Sequence, residues 1–265
     1  MERPEPGVAE EVEAGVRVIL ADNPSPMTYW GTNTYLIGTD DVIVIDPGPE
    51  DADHLAAITH AAPKIGLLLI THSHLDHSPL ARRLARMTGA PIAAFGNAEA
   101  GRSQVMQDLA ATGFAGGGEG VDGAFEPDIL LHDGQDLGGI EVLHTPGHFG
   151  NHLSFAAEGI VWTGDLVMGW ASSLVSPPDG DLTDFMASCE RLGQRKDRLF
   201  LCGHGAPITA PGQRIDWLLR HRRKREAAIL NCLDETPISI GEIAGRVYTD
   251  IDKVLQPAAE RNIIA

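Results

Sequence analysis

Short β-branched apolar runs punctuate the first third of the chain. Val16 to Leu20, Thr32 to Ile37, Val42 to Ile45 and Leu67 to Thr71 each predict a strand bounded by turn residues. Between the last two, Asp51 to Ala62 carries apolar positions on one helical face. Ser78 to Met87 predicts a second helix, with Ser78 as N-cap, Pro79 in the first helical position and Gly89 as its stop. Pro91 to Phe95 predicts a strand and Asn97 to Ala111 a helix. Gly113 to Gly123 holds six glycines in eleven positions, so an exposed loop is expected, a connector ahead of a substrate lid. Strand signals return at Asp128 to Leu131, Ile140 to His144, Leu153 to Ala156 and Ile160 to Thr163. Leu182, Phe185, Met186, Cys189 and Leu192 then fall at amphipathic helical spacing, which makes Cys189 a core thiol. Leu199 to Cys202 is a last buried strand. Past a boundary at Ala210-Pro-Gly212 only helix is expected, over Gln213 to Leu233, Ser239 to Val247 and Ile251 to Arg261. Two similar halves and a helical tail predict an α+β core with an all-α appendage. The expected organisation is an acidic, disordered leader over 1–14, a catalytic domain over 15–210 and a helical domain over 211–265.

Composition narrows the class. A chain of 265 residues, 43% hydrophobic, builds a large core without disulfides. The longest aliphatic runs, Leu67 to Ile70 and Val42 to Ile45, fall far short of the roughly 18 residues of a membrane span. The leader, with Glu2, Glu5, Glu10, Glu11 and Glu13, is the opposite of a basic signal peptide. Cys189, Cys202 and Cys232 are odd in number and lack CxxC spacing, which points to a reducing cytoplasm. A net charge of −17 repels a phosphate backbone over most of the surface, so nucleic-acid binding would need a local basic patch.

Chemistry concentrates in Thr71-His72-Ser-His74-Leu-Asp76-His77-Ser78, between a strand end and a helix start. Three imidazoles and a carboxylate packed there are costly unless they bind a cation. So short a turn does not wrap one ion with all four groups. His72 and His74, two apart on extended chain, can chelate one ion, while Asp76 and His77 face a second. Further donors stand at other strand ends beside glycines: His148, Asp165 and His204. An aspartate can bridge two cations with its two oxygens, which suits Asp165.

These residues resemble the metallo-β-lactamase-fold hydrolase superfamily. The pattern Thr71-His-x-His-x-Asp-His77, Gly147-His148, Gly164-Asp165 and Gly203-His204, preceded by Ile45-Asp46-Pro-Gly48, runs in order through nearly the whole core. The resemblance implies a four-layer αβ/βα sandwich and two divalent metal ions, zinc first with iron or manganese as alternatives. It assigns His72, His74 and His148 to one ion, Asp76, His77 and His204 to the other, and Asp165 to the bridge. Asp46 resembles the family's structural carboxylate, and His152 matches a histidine that holds a ligand or the substrate. Gly31 to Ile37, Val167 to Trp170 with Ser176 to Gly180, and His221 to Glu226 look like the glyoxalase II-like branch with a C-terminal winged helix. The chain stops at Ala265, before a β-wing, so an incomplete appendage is expected that shapes the cleft or a homodimer contact. Phe149 stands where the family commonly has Thr and Cys202 where Pro is common; the first predicts a more apolar rim, the second a buried thiol before a soft ligand.

Two such cations about 3.5–4 Å apart acidify a shared water, so the expected nucleophile is a bridging hydroxide. The resemblance implies that Asp76 orients it and shuttles its proton to the leaving group. Tyr29, Trp30, Asn33, Met168 and Trp170 flank loops expected to wall the cleft, with Asn33 and Trp170 as candidate supporting or substrate-facing positions. An apolar wall favours a small-molecule acyl substrate: a thioester, ester or lactone. The rival is an endoribonuclease or phosphodiesterase that grips RNA with Arg220 to Arg225, five cations in six residues. A true β-lactamase and a non-catalytic binding protein rank lower, since all seven ligand positions are filled.

Overall fold

The structure is a computed structural model that describes residues 3–114, 116, 120–249 and 251–265. One sheet holds seven strands in chain order: β1 (Ala9–Glu13), β2 (Val16–Leu20), β3 (Asn33–Ile37), β4 (Val42–Ile45), β5 (Ile65–Leu69), β6 (Ile92–Ala94) and β7 (Ile129–Leu130). Pairing is antiparallel from β1 to β4 and parallel from β4 to β7. The second sheet is β8 (Glu141–His144), β9 (Leu153–Ala157), β10 (Ile160–Gly164) and β11 (Leu199–Cys202), in the order β11-β10-β9-β8, parallel at β10–β11.

Strand periodicity assigns the layers. Val16, Val18, Tyr35 and Ile45 face the second sheet and pack on Phe155, Trp162 and Leu201. The alternate residues Ile19, Leu36 and Val44 face outward against Leu55 and Ile58 of α1 (Ala52–Ala61) and Leu80 and Leu84 of α2 (Leu80–Thr88). On the far side, Val161 and Phe200 meet Phe185 and Cys189 of α4 (Leu182–Gly193) and Ile215 and Leu218 of α5 (Pro211–Leu230). The expected four-layer α+β sandwich is therefore the observed one.

Several local expectations change. The acidic leader is not frayed throughout: Ala9–Glu13 pairs with β2 as an edge strand. Pairing supplies what its sequence lacks, and an edge position lets its glutamates face water. The helix expected from Asn97 begins only at α3 (Gln104–Ala111), because Gly101 takes φ +75° and Ser103 caps the Met106 amide. Ser78 caps nothing; its Oγ donates to the His74 carbonyl, and α2 starts after Pro79. Of the glycine-rich stretch, Ala115 and 117–119 lie outside the described residues. Its end is no free connector, since the Leu75 amide donates to the Gly120 carbonyl and the Asp122 amide to the Ser73 carbonyl. After α5 come α6 (Ile240–Val247), with a Ser239–Glu242 capping box, a short 3-10 turn and α7 (Gln256–Ile264). No strand follows β11 among the described residues, so the winged-helix expectation retains only helices. Among those residues no helix is long and apolar enough to cross a membrane.

Candidate metal centre

The donors gather where parallel strands end. β4 delivers Asp46, β5 delivers the loop 71–78, β10 delivers Asp165 and β11 delivers His204. The register Ile45↔Leu69 sets Asp46 beside Thr71, whose amide donates to Asp46 Oδ1 at 2.7 Å and whose hydroxyl donates to Oδ2 at 2.6 Å. The loop after β8 contributes His148. Gly203 permits the closest approach: a Cβ there would run into the Asp165 carboxylate and His77.

His72, His74 and His148 form one group. His72 Nε2 and His148 Nε2 lie 3.0 and 3.1 Å from His74 Nδ1. His72 Nδ1–H donates to Thr71 Oγ1 at 2.9 Å, and His148 Nδ1–H to the Leu174 carbonyl at 2.7 Å. Both Nε2 lone pairs are therefore aimed at His74 Nδ1, which carries at most one proton. Burial lowers all three pKa values, His74 to about 3, with the neighbouring imidazoles adding to the effect at His72 and His74. Three neutral nitrogens converging with one proton between them fit a cation. Donors on one zinc-like ion stand about 3.3 Å apart, as metal–nitrogen bonds of about 2.0–2.1 Å require.

Asp76, His77 and His204 form a second group. His77 Nδ1–H donates to Asp46 Oδ2 at 2.9 Å and His204 Nδ1–H to the Gly31 carbonyl at 3.1 Å. Their Nε2 atoms lie 3.4 Å apart, at 3.3 and 3.2 Å from Asp76 Oδ2. Asp165 faces both groups: Oδ1 is 3.6 Å from His77 Nε2, and Oδ2 is 3.1 and 3.7 Å from His204 Nε2 and His148 Nε2. Burial disfavours charge on these histidines, but Asp76 and Asp165 outweigh it, holding His204 up to about 10 and His77 well above its usual range. Asp76 and Asp165 are held well below theirs, since burial is overcome by the same imidazoles. The pocket thus concentrates positive charge between two carboxylates, and Asp76 Oδ1 and Asp165 Oδ1 are buried without a hydrogen-bond partner. Divalent cations would satisfy both features by displacing the protons.

His152 is fully buried; Nδ1–H donates to Thr145 Oγ1 at 3.0 Å and Nε2 accepts the Asp165 amide at 3.2 Å, so it anchors the Asp165 turn. Asn33 does not wall the cleft; its amide donates to the Cys202 and Gly205 carbonyls and braces the His204 turn. Cys202 is a core thiol, pushed up to about 12 by burial, with Sγ toward the Ala206 carbonyl. Phe149 is fully buried, with its ring 5.0 Å from His74, so it backs the cluster and forms no rim. Sequence reasoning passed over Thr32, whose hydroxyl donates to Asp76 Oδ2 at 3.2 Å.

Above the donors opens a cavity of about 240 Å³. His74, Asp76, His148, Asp165 and His204 form its floor; Met27, Met168, Trp170 and Leu174 line its sides, and the C-terminal helices close it with Tyr248, Leu255 and Ala259. Tyr29 and Trp30 lie outside it, on a separate surface hollow, with Tyr29 stacked on Trp170 at 4.7 Å.

Comparison with known proteins agrees with this geometry. The chain is 29% identical over 97% of its length to the beta-lactamase-like protein 2 homolog of Drosophila melanogaster, 88% of which it covers. It is 31% identical to an atrochrysone carboxyl ACP thioesterase of Claviceps purpurea, over 92% of this chain and 76% of that one. The solved structure of a beta-lactamase domain protein from Burkholderia ambifaria shares the fold, with a TM-score of 0.78 at 22% identity over 99% of this chain and 87% of that one. Residues 27–204, which carry every loop of the floor, match the Lactamase_B family. This chain therefore belongs to the metallo-beta-lactamase superfamily of hydrolases.

Proposed function

We propose that the chain is a binuclear metal-dependent hydrolase, zinc-loaded, that cleaves an acyl bond of a thioester, ester or lactone. The observation that carries this reading is the floor, where Asp165 groups with His72 of one donor set and His77 of the other, beneath a chamber with apolar sides. His72, His74 and His148 would hold one ion, Asp76, His77 and His204 the other, with Asp165 between them. When bound, the ions supply an activated water and Lewis acidity toward the scissile carbonyl. Thr32 fixes Asp76 Oδ2, leaving Oδ1 free to take the proton of the attacking water and return it to the departing thiolate or alkoxide. By accepting the Nδ1–H of His77 and His72, Asp46 and Thr71 would leave each Nε2 to face an ion, which at His77 displaces the Nε2 proton. The Met27, Met168 and Leu174 wall excludes water from the acyl chain.

The acyl reading is favoured over RNA cleavage by the fate of the basic run. Arg222 donates to Asn262 and the Ser173 carbonyl, Arg223 pairs with Glu190, and Arg225 bonds the Val247 carbonyl and lies over the Tyr248 ring. These cations knit α5 to its neighbours. The thioesterase name of the Claviceps purpurea relative points the same way. Elemental analysis, followed by paired assays on acyl thioesters, lactones and labelled single-stranded RNA, tests the proposal. Two metal equivalents and chelator-sensitive acyl cleavage are expected. RNA cleavage that disappears on neutralising Arg220, Arg223 and Lys224 would overturn it.

A further inference from the structure

Among the residues that line the chamber, the buried polar atoms without a hydrogen-bond partner divide by chemistry. Asp76 Oδ1 and Asp165 Oδ1 are acceptors on the floor. Trp170 Nε1, Ser172 Oγ and Arg222 Nε are able to donate. Trp170 Nε1 lies beside Gly205, next to His204, and so belongs to the floor end. Arg222 Nη2 donates to the carbonyl of Ser173, the residue after Ser172, and both Arg222 and Ser172 line the chamber.

Arg222 is 6% exposed. Its Nη1 donates to Asn262 Oδ1 at 2.9 Å and its guanidinium lies over the Phe185 ring, so its protein partners are neutral. Burial and the nearby Arg225 lower it only to about 10, which leaves it charged at neutral pH. A buried cation with neutral partners and an unmet N–H in a ligand chamber is costly unless an anion arrives. A clamp between α5 and α7 would explain the two Nη bonds. It leaves unexplained the unpartnered Nε–H and the unpartnered Ser172 hydroxyl.

We propose that Arg222 and Ser172 form an anion-binding end of the chamber, which receives a carboxylate carried on the acyl group remote from the scissile carbonyl. This rests on the acyl-hydrolase reading for the identity of the ligand. The preferred substrates are then acyl thioesters or esters with a terminal carboxylate, in place of plain fatty acyl chains.

The test is calorimetric titration of the metal-loaded protein with two unreactive amides of equal length, adipamic acid and hexanamide. The wild type should bind the carboxylated probe roughly 10- to 100-fold more tightly, the range of a hydrogen bond to a charged group. Arg222→Gln should abolish the preference and Ser172→Ala should reduce it several-fold. Equal affinities in the wild type, or a preference untouched in both variants because the carboxylate sits on the metals, would overturn the proposal. If Arg222→Gln does not fold, an unchanged preference in Ser172→Ala overturns it alone. Thioester turnover without carboxylate preference defeats this inference only. Arg222-dependent carboxylate binding without any acyl cleavage defeats the acyl reading and leaves the anion site standing.

Discussion

Asp46→Asn tests whether the floor depends on imidazole tautomers. Asp46 adopts φ +49°, a left-handed conformation that Asn tolerates equally well, so the exchange alters chemistry and leaves the backbone in place. Asp46 Oδ1 accepts the Thr71 amide, while Oδ2 accepts both the Thr71 hydroxyl and His77 Nδ1–H. In the variant an oxygen still meets the Thr71 amide, but an NH₂ replaces Oδ2. His77 Nδ1 must then accept, and its proton moves to Nε2, the atom facing Asp76 and His204. A protonated Nε2 offers no lone pair to a metal. Loss of such a supporting partner typically costs about 10- to 100-fold in metal affinity, or ~1.4–2.7 kcal/mol. The ion held by Asp76, His77 and His204 should weaken by that amount. The ion at His72, His74 and His148 should weaken less, because Asp46 reaches it only through Thr71. Competition against a chromophoric zinc chelator resolves the two affinities, with circular dichroism to confirm the fold. A folded Asp46→Asn protein that binds two zinc ions with unchanged affinity would refute the tautomer argument.

Three further predictions follow from other parts of the molecule. Asp165→Ala should weaken both metal positions together and abolish hydrolysis, read as metal content after dialysis and turnover; retained activity would sink the shared-ligand assignment. Gly203→Ala should fold but lose metal, because its Cβ enters the space of the Asp165 carboxylate, and normal zinc stoichiometry would contradict this. His54, held down to about 4 by burial against an opposing pull from Asp51, excludes a proton in the folded state that it binds below about 6.5 when unfolded. Its contribution is complete above pH 6.5 and is lost as pH falls toward 4. In His54→Leu the Thr34 hydroxyl keeps its bond to the Asp46 carbonyl at 2.7 Å, so no new polar atom is orphaned. Urea unfolding should show wild type losing about 2 kcal/mol more than the variant between pH 7 and pH 5; parallel losses would refute the assignment.

The floor was legible because its residue types have few other reasons to stand at apolar strand ends. Its supports were less so. The carbonyls of Leu174 and Gly31, which fix His148 and His204, carry no letter in a sequence. Thr32 and Thr145 look like ordinary hydroxyls until the chain folds. β1 was hidden because an edge strand gains its order from β2, while its own glutamates resemble a solvated tail. The boundaries of α2 and α3 moved because Ser78 and Gly101 serve tertiary contacts and turns that local propensity does not weigh. Arg222 had a readable signal that the charge run obscured. Ile215, Leu218, Leu219 and Arg222 fall on one buried stripe of α5, so helical phase separates this arginine from the exposed Arg220, Arg223 and Lys224.

That stripe bears on how the molecule divides its work. The floor is built by loops of the two-sheet core, and on the acyl-hydrolase proposal its groups would act on the reacting bond whatever acyl chain is attached. The far wall is built by the C-terminal helices, through Tyr248, Leu255, Ala259 and the buried Arg222 of α5, and on the same proposal would meet what lies beyond that bond. A fold shared across many activities can change substrates by changing such a wall while the floor stays fixed. Substitutions should therefore sort by position. Asp46 variants should lower kcat for every substrate in proportion. Leu255→Ala or Ser172→Ala should reorder substrates by KM while sparing kcat for the best of them. A wall substitution that lowered kcat uniformly would show that the helices position the floor as well, and would end this separation of roles.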